Sequence, residues 1–335
     1  MTEGQPLIFN IHRLAMDDGP GLRSTVFFKG CPLSCDWCHN PEAMKTGAEV
    51  AFFPKLCLGC GACEKACPEG AIEPERAERL IRARCTGCGR CAEVCPSTAL
   101  RLVGIYYPVQ DLVSLLLRDR IYYQVSGGGV TFSGGEPTLH LDYLETVLAT
   151  LRSEGIHAAI QTCGYFPVEA FVERILPLVD LVFFDLKLYN PEDHARLTGR
   201  DNSMIFDSFT RLTLEAREKI IPRIPLVPGR TATRDNLQAL ASFVNDHGYG
   251  RCDLKTYNPG GLGKRLVIGM SVPVDLPESL MDVKREDELR EFFAQSLAGE
   301  EVCRAEYFFQ QEGSSRRVDK RRKGEEPCRS IFIMR

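Results

Sequence analysis

Ser24-Thr-Val-Phe-Phe-Lys-Gly-Cys-Pro-Leu-Ser-Cys-Asp-Trp-Cys38 decides the fold of this chain. Its first six residues are β-branched or aromatic apart from Ser24 and Lys29, which reads as a buried strand, and Gly30 stops it. Cys31 therefore opens a loop at the carboxyl end of a strand, and Cys35 and Cys38 follow in the same loop.

Downstream, strand-like and helix-like segments alternate. Leu112 to Leu117 reads as helix, Gly129 to Phe132 as strand, Leu139 to Arg152 as helix, Ala158 to Gln161 as strand, Val168 to Leu176 as helix and Leu181 to Asp185 as strand. The pattern resumes with Ile220 to Ile224, a helix near Arg234 to Asn245, and Asp253 to Tyr257. Repeated β-then-α units specify an α/β fold with a parallel sheet, curved into a partial or full (β/α) barrel. Such folds carry their sites at the carboxyl ends of the strands, where the Cys31 loop falls.

The chain has 335 residues, 44% of them hydrophobic, and a net charge of −4, which suits one main core with a small second module and suggests neither a nucleic-acid footprint nor an acidic tail. No apolar run approaches a membrane span, and the start, Met1 to Gln5 and onward through His12, Arg13, Asp17 and Asp18, lacks the apolar core of a signal peptide. A cytoplasmic protein is expected. Fifteen cysteines are present, and eleven of them lie between Cys31 and Cys95. In a reducing compartment such crowding points to metal ligands rather than disulfides.

Eight of the eleven form a tandem. Cys57, Cys60, Cys63, Cys67 and Pro68 repeat as Cys85, Cys88, Cys91, Cys95 and Pro96, both in the bacterial ferredoxin spacing. In that pattern the fourth cysteine serves the other cluster, so Cys57, Cys60, Cys63 and Cys95 form one ligand set and Cys85, Cys88, Cys91 and Cys67 the second. A pair of zinc knuckles is the alternative, though zinc usually takes separated CxxC pairs. The boundaries that follow are a core over 1–48, a ferredoxin-like insert over 49–102, the core continued over 103–300, and a tail over 301–335 whose basic run, Ser314 to Lys323, reads as a solvated surface.

Cys31, Cys35 and Cys38 supply three thiolates, and a cubane held by three cysteines leaves one iron open for a substrate. A zinc site completed by His39 is the competing reading. With these motifs on the page, the chain resembles the activating enzymes of glycyl radical enzymes, within the radical S-adenosylmethionine superfamily. The resemblance rests on CxxxCxxC, Asp18-Gly-Pro-Gly-Leu-Arg23, Phe27-Phe-Lys-Gly-Cys-Pro32, Trp37-Cys-His-Asn-Pro-Glu42, Ser133-Gly-Gly-Glu-Pro137, Thr162-Cys-Gly164, Asp185-Leu-Lys187 and Arg223-Ile-Pro-Leu-Val-Pro-Gly229. The tandem insert is similar to the branch that serves dehydratases, C–N and C–S lyases and decarboxylases.

The resemblance implies three 4Fe–4S clusters, one of which binds S-adenosylmethionine at Cys31, Cys35 and Cys38, in oxygen-sensitive anaerobic chemistry. It implies cofactor contacts from Trp37, Cys38 and His39, from Gly134, Gly135 and Glu136, from Asp185, Leu186 and Lys187, and from Asn258, with Lys187 also among the catalytic residues. The alternative for Asp185 with Lys187 is a plain ion pair at a barrel rim. The implied partner is a glycyl radical enzyme, with isethionate sulfite-lyase, choline lyase, glycerol or diol dehydratase, hydroxyproline dehydratase and arylacetate decarboxylase as candidates, and flavodoxin or ferredoxin as external electron donor. A radical enzyme acting directly on a small metabolite is the alternative. Two positions depart from the family: Gln161 stands where an acidic residue helps bind a cation, and Thr256-Tyr-Asn258 stands where relatives carry a proline, an aromatic and a histidine. Cys163 and Cys252 read as packing residues, as do Cys303 and Cys328.

Overall fold

The computed structural model describes residues 6–297. The basic run, Cys303 and Cys328 lie outside the described residues. The strands are β1 (Leu7–Ala15), β2 (Arg23–Phe28), β3 (Glu49–Phe52), β4 (Leu100–Val103), β5 (Ile105–Tyr106), β6 (Gly129–Gly134), β7 (His157–Thr162), β8 (Leu181–Asp185), β9 (Ile220–Leu226) and β10 (Asp253–Thr256). The helices are α1 (Ala62–Ala66), α2 (Arg90–Glu93), α3 (Val109–Leu117), α4 (Arg120–Ser126), α5 (Leu141–Ser153), α6 (Val168–Arg174), α7 (Pro191–Thr198), α8 (Ser203–Ala216), α9 (Arg234–Asp246), α10 (Gly260–Val267) and α11 (Val283–Ser296).

Eight strands form one sheet in the order β10-β9-β8-β7-β6-β2-β1-β5. β2 and β6 to β10 run parallel, while β1 is antiparallel to both β2 and β5. The two edge strands, β5 and β10, do not pair, so the barrel is partial. Lys255 of β10 nonetheless reaches the loop after β1, its Nζ donating to the Asp17 carbonyl at 3.3 Å.

Side chains alternate across the strands. Val130, Phe132, Ile160, Val182, Phe184 and Ile224 are fully buried in the main core with Leu144 and Leu148 of α5, Phe209 and Leu212 of α8, and Leu240 of α9. Each such burial stabilises the fold by about 1.5–3 kcal/mol. The intervening residues line the lumen, with Thr131, Ser133, Gln161 and Arg223 beside a small apolar cluster of Ala159, Leu181, Phe183 and Ile221. There Arg23 donates to Thr131 Oγ1 and the Val130 carbonyl, both at 2.6 Å, and Arg223 pairs with Asp253 at 2.8 Å while lying 4.1 Å over the Phe183 ring.

Between β2 and β5 the chain leaves the sheet. β3 and β4 form an antiparallel ribbon, Glu49 opposite Val103 and Phe52 opposite Leu100, which carries α1 and α2. Val50, Phe52, Ile72, Leu80, Ala99 and Leu100 make a small separate core with Cys63 and Cys91.

Candidate active site

The Cys31 loop is held almost entirely through its backbone. Gly30 N donates to Ala43 O at 2.7 Å, Cys31 N to Met44 O at 3.2 Å, Ser34 N to Thr198 O at 2.7 Å and Asp36 N to Leu197 O at 3.2 Å. From the other side α10 presses on it. Arg265 Nη2 donates to the carbonyls of Cys35 at 3.0 Å and Asp36 at 2.8 Å. A Cβ on Gly261 would lie 2.3 Å from the Cys38 carbonyl, so only glycine permits that approach. Arg230 Nε fixes the Asp36 carboxylate at 2.7 Å.

The three thiols are near enough to influence one another's ionisation and to feel Lys187. Burial raises the Cys35 thiol strongly and pushes Cys38 up to about 11, with Cys31 adding to both. A hydrogen bond from Cys163 draws Cys31 the other way and leaves Cys163 well above the ordinary range. Buried thiols of this kind become thiolates together only when a cation compensates them, as iron does. The donor set therefore fits a cluster held by three cysteines.

Glu136 is fully buried. Its Oε1 accepts from Thr138 N at 3.3 Å and Thr138 Oγ1 at 2.9 Å, and its Oε2 from Thr162 Oγ1 at 2.9 Å and Cys163 N at 2.7 Å. Those four bonds fill the acceptor positions of a carboxylate. As placed, the group ties the Gly134-Gly135-Glu136 turn to the end of β7, and an amino group would have to displace one of these donors. The glycines answer to the protein as well. A Cβ on Gly134 would sit 2.4 Å from Phe28 N, and one on Gly135 1.9 Å from Gly30 O.

Lys187 Nζ donates to Asp185 Oδ2 at 2.9 Å. Burial opposes the Lys187 charge, but Asp185, with Cys35 and Cys163, outweighs it and holds the ammonium above its ordinary pKa. Leu186 points into the main core, and Trp37 is also buried there. Asn258 Oδ1 accepts from Gly260 N at 2.9 Å at the entrance to α10, close to the His39 ring. Gln161 bridges Ser133 Oγ at 2.7 Å and Asp18 Oδ1 at 3.0 Å.

In the insert, two hollows are each ringed by four cysteines: Cys67, Cys85, Cys88 and Cys91 in one, Cys57, Cys60, Cys63 and Cys95 in the other. Among the described residues no three His, Cys, Asp or Glu side chains converge as a single-ion site.

A model of the radical SAM superfamily matches residues 25–241. The chain is 38% identical over 85% of its length and 94% of the relative's to the choline trimethylamine-lyase activating enzyme of Oleidesulfovibrio alaskensis. It is 44% identical to the trans-4-hydroxy-L-proline dehydratase activating enzyme of Clostridioides difficile, over 70% of this chain and 77% of that one. To the isethionate sulfite-lyase activating enzyme of Desulfovibrio desulfuricans it is 37% identical, over 81% and 88%. The chain belongs to the radical SAM activating enzymes of glycyl radical enzymes.

In this activating enzyme several residues that build the site carry no signal readable in advance. Arg265, Arg230 and the Leu197–Thr198 carbonyls grip the cysteine loop from far along the chain. The run Gly260-Gly-Leu-Gly-Lys-Arg265 is the one local hint, since its small residues mark a helix made for close approach.

Proposed function

We propose that Cys31, Cys35 and Cys38 hold a 4Fe–4S cluster with one open iron, and that the chain activates a partner enzyme by installing a glycyl radical on it. When bound, the cluster supplies one electron for reductive cleavage of S-adenosylmethionine, and the resulting 5′-deoxyadenosyl radical takes hydrogen from a glycine Cα of the partner. The observation that carries this reading is that three thiols of one loop, at the carboxyl end of a strand of the parallel sheet, lie near enough to Lys187 for it to act on the ionisation of each. Lys187, kept charged by Asp185, offers a cation to the carboxylate of S-adenosylmethionine. Gly134 and Gly135 hold the turn after β6 against the root of the cysteine loop, and His39 and Asn258 stand together where a nucleoside could lie. Trp37 braces that loop from within the core.

The eight insert cysteines are proposed to hold two further 4Fe–4S clusters that relay single electrons from a low-potential flavodoxin or ferredoxin. The pairing of cysteines around the two hollows supports it. Thirteen cysteines of the described residues are free thiols, which supports a reducing, cytoplasmic setting. No described helix is long and apolar enough to cross a membrane. The names of several relatives support a partner among the lyases and dehydratases of small polar metabolites or the arylacetate decarboxylases. The test is anaerobic incubation of the reconstituted protein with S-adenosylmethionine, reductant and each candidate glycyl radical protein. A glycine-centred paramagnetic signal on one of them is expected, and cleavage without a signal on any would refute the reading.

A further inference from the structure

The tandem repeat makes the two halves of the insert look interchangeable, yet the fold sets them at different depths. The ribbon β3–β4 leaves the core at Glu49, whose carboxylate meets the buried Lys29 ammonium at 2.9 Å. Val50, next to that root, lines the hollow of Cys67, Cys85, Cys88 and Cys91. Phe52 and Leu100, its ribbon partner, line the hollow of Cys57, Cys60, Cys63 and Cys95. Two residues of strand carry the second site about 7 Å farther out.

The repeat contains its own control. Gly59 and Gly87 occupy equivalent places, each just before the second cysteine of its half, and share a φ of +69°. A Cβ on Gly59 would meet nothing within 4 Å, whereas one on Gly87 would lie 2.2 Å from the Ala48 carbonyl at the ribbon root.

A third observation fixes what the inner half touches. Arg82, three residues before Cys85, donates to the Val50 carbonyl and, through Nη2, to the Val267 carbonyl at 3.1 Å. Val267 ends α10, and two residues earlier on that helix Arg265 grips Cys35 and Asp36. One short helix therefore joins the inner half of the insert to the Cys31 loop.

We propose that the insert is a polarised relay: the outer site (Cys57, Cys60, Cys63, Cys95) takes electrons from the donor protein, and the inner site (Cys67, Cys85, Cys88, Cys91) delivers them to the Cys31 centre. Arg82 is the positioning residue that locks the inner site on α10. The proposal rests on the relay reading given above. Each turnover oxidises one reduced flavodoxin or ferredoxin by one electron. That electron passes outer to inner to the Cys31 centre and leaves by cleaving the bond from sulfur to the 5′ carbon, which gives methionine and the deoxyadenosyl radical.

The test uses the fully reconstituted protein and its Cys60→Ala, Cys88→Ala and Arg82→Gln variants. Microwave power saturation of the reduced Cys31 centre reports which neighbour relaxes it. Cys88→Ala should make that signal saturate at several-fold lower power, and Cys60→Ala should leave it near wild type. With reduced donor protein, Cys88→Ala should still load the outer site while the Cys31 centre fills about tenfold more slowly or not at all. The reverse assignment, relaxation lost in Cys60→Ala and kept in Cys88→Ala, would overturn the order. Wild-type cleavage of S-adenosylmethionine by both cysteine variants with donor protein would instead remove the relay itself. Arg82→Gln keeps all eight cysteines and so covers the case in which the cysteine variants lose the insert fold. Faster amide exchange at residues 264–267, weaker relaxation and about tenfold slower donor-driven reduction are expected. If all three stay at wild-type values, Arg82 does not position the insert.

Discussion

Gln161 Nε2 donates to Asp18 Oδ1 at 3.0 Å and so ties the end of β7 to the loop after β1 across the barrel lumen. Asp18 also accepts from Thr25 Oγ1 at 2.8 Å, and Gln161 Oε1 from Ser133. The amide makes this tie without charge. In Gln161→Glu two carboxylates would meet at this distance, a repulsion of about 5 kcal/mol at an effective dielectric near 20 before relaxation. The variant should therefore melt lower than wild type in tetramethylammonium buffer and recover in sodium or potassium, while wild type responds to neither. Equal stability of Gln161→Glu in all three buffers would show that no cation is drawn in.

Much of this architecture is legible in the residue order, and the exceptions have physical causes. Strands buried on both faces, such as Leu181–Asp185, announce themselves as continuous apolar runs, and β8 has the expected bounds. β1 is missed because Asn10, His12 and Arg13 are exposed in an antiparallel strand near the sheet edge, which breaks the apolar alternation. The ribbon β3–β4 is missed because four residues per strand leave too little alternation to recognise. Pro137 starts a separate 3-10 turn, so α5 begins at Leu141 and not at Leu139. Glu136 reads from its motif as a ligand contact, and only the fold reveals that Thr138, Thr162 and Cys163 already occupy it.

Arg265 is 6% exposed and donates to two loop carbonyls, that of Cys35, which also accepts from Cys38 N at 3.2 Å, and that of Asp36. Truncation to alanine removes these two charge-assisted bonds and a longer one to the Ser271 carbonyl at 3.4 Å, and should cost about 3 kcal/mol. Because the two shorter bonds end on the Cys35–Asp36 backbone, the loss should fall mainly on one centre. Arg265→Ala is expected to retain the insert's iron while losing most of the S-adenosylmethionine-responsive paramagnetic signal, with partial rescue in Arg265→Lys. Uniform iron loss from all centres would instead assign Arg265 a global stabilising role.

His194 of α7 is 1% exposed, with Nδ1 2.6 Å from the Arg200 carbonyl. Burial lowers its pKa below the ordinary 6.5; the Arg200 hydrogen bond and Asp201 oppose that shift, and Lys187 adds to it. The unfolded chain therefore takes up a proton before the folded one as pH falls through 6.5, and this group's contribution to stability is lost on acidification. The same helix supplies the Leu197 and Thr198 carbonyls that hold the cysteine loop. Between pH 7.5 and 5.5 the thermal midpoint should fall more steeply for wild type than for His194→Gln. Parallel curves would exclude His194 as the titrating group.

Lys29 Nζ donates to the Glu42 carbonyl at 2.5 Å and to Glu49 Oε2 at 2.9 Å, and its side chain is 0% exposed. Burial lowers its pKa, against the pull of Glu49. Methionine would keep the length of the stem but leave Glu49 with Lys45, which is exposed at 66% and holds it from the solvent side. Breaking a buried pair from one side costs about 3–5 kcal/mol, whereas removing both charges is far milder. Lys29→Met should therefore speed amide exchange in Glu49–Phe52 and Leu100–Val103 and admit proteases to the insert, with β6 to β8 unchanged. Lys29→Met combined with Glu49→Gln should recover much of the protection. If the single variant protects the ribbon as well as wild type does, the Arg82 contact with α10 alone anchors the insert, and Arg82→Gln should then release it completely.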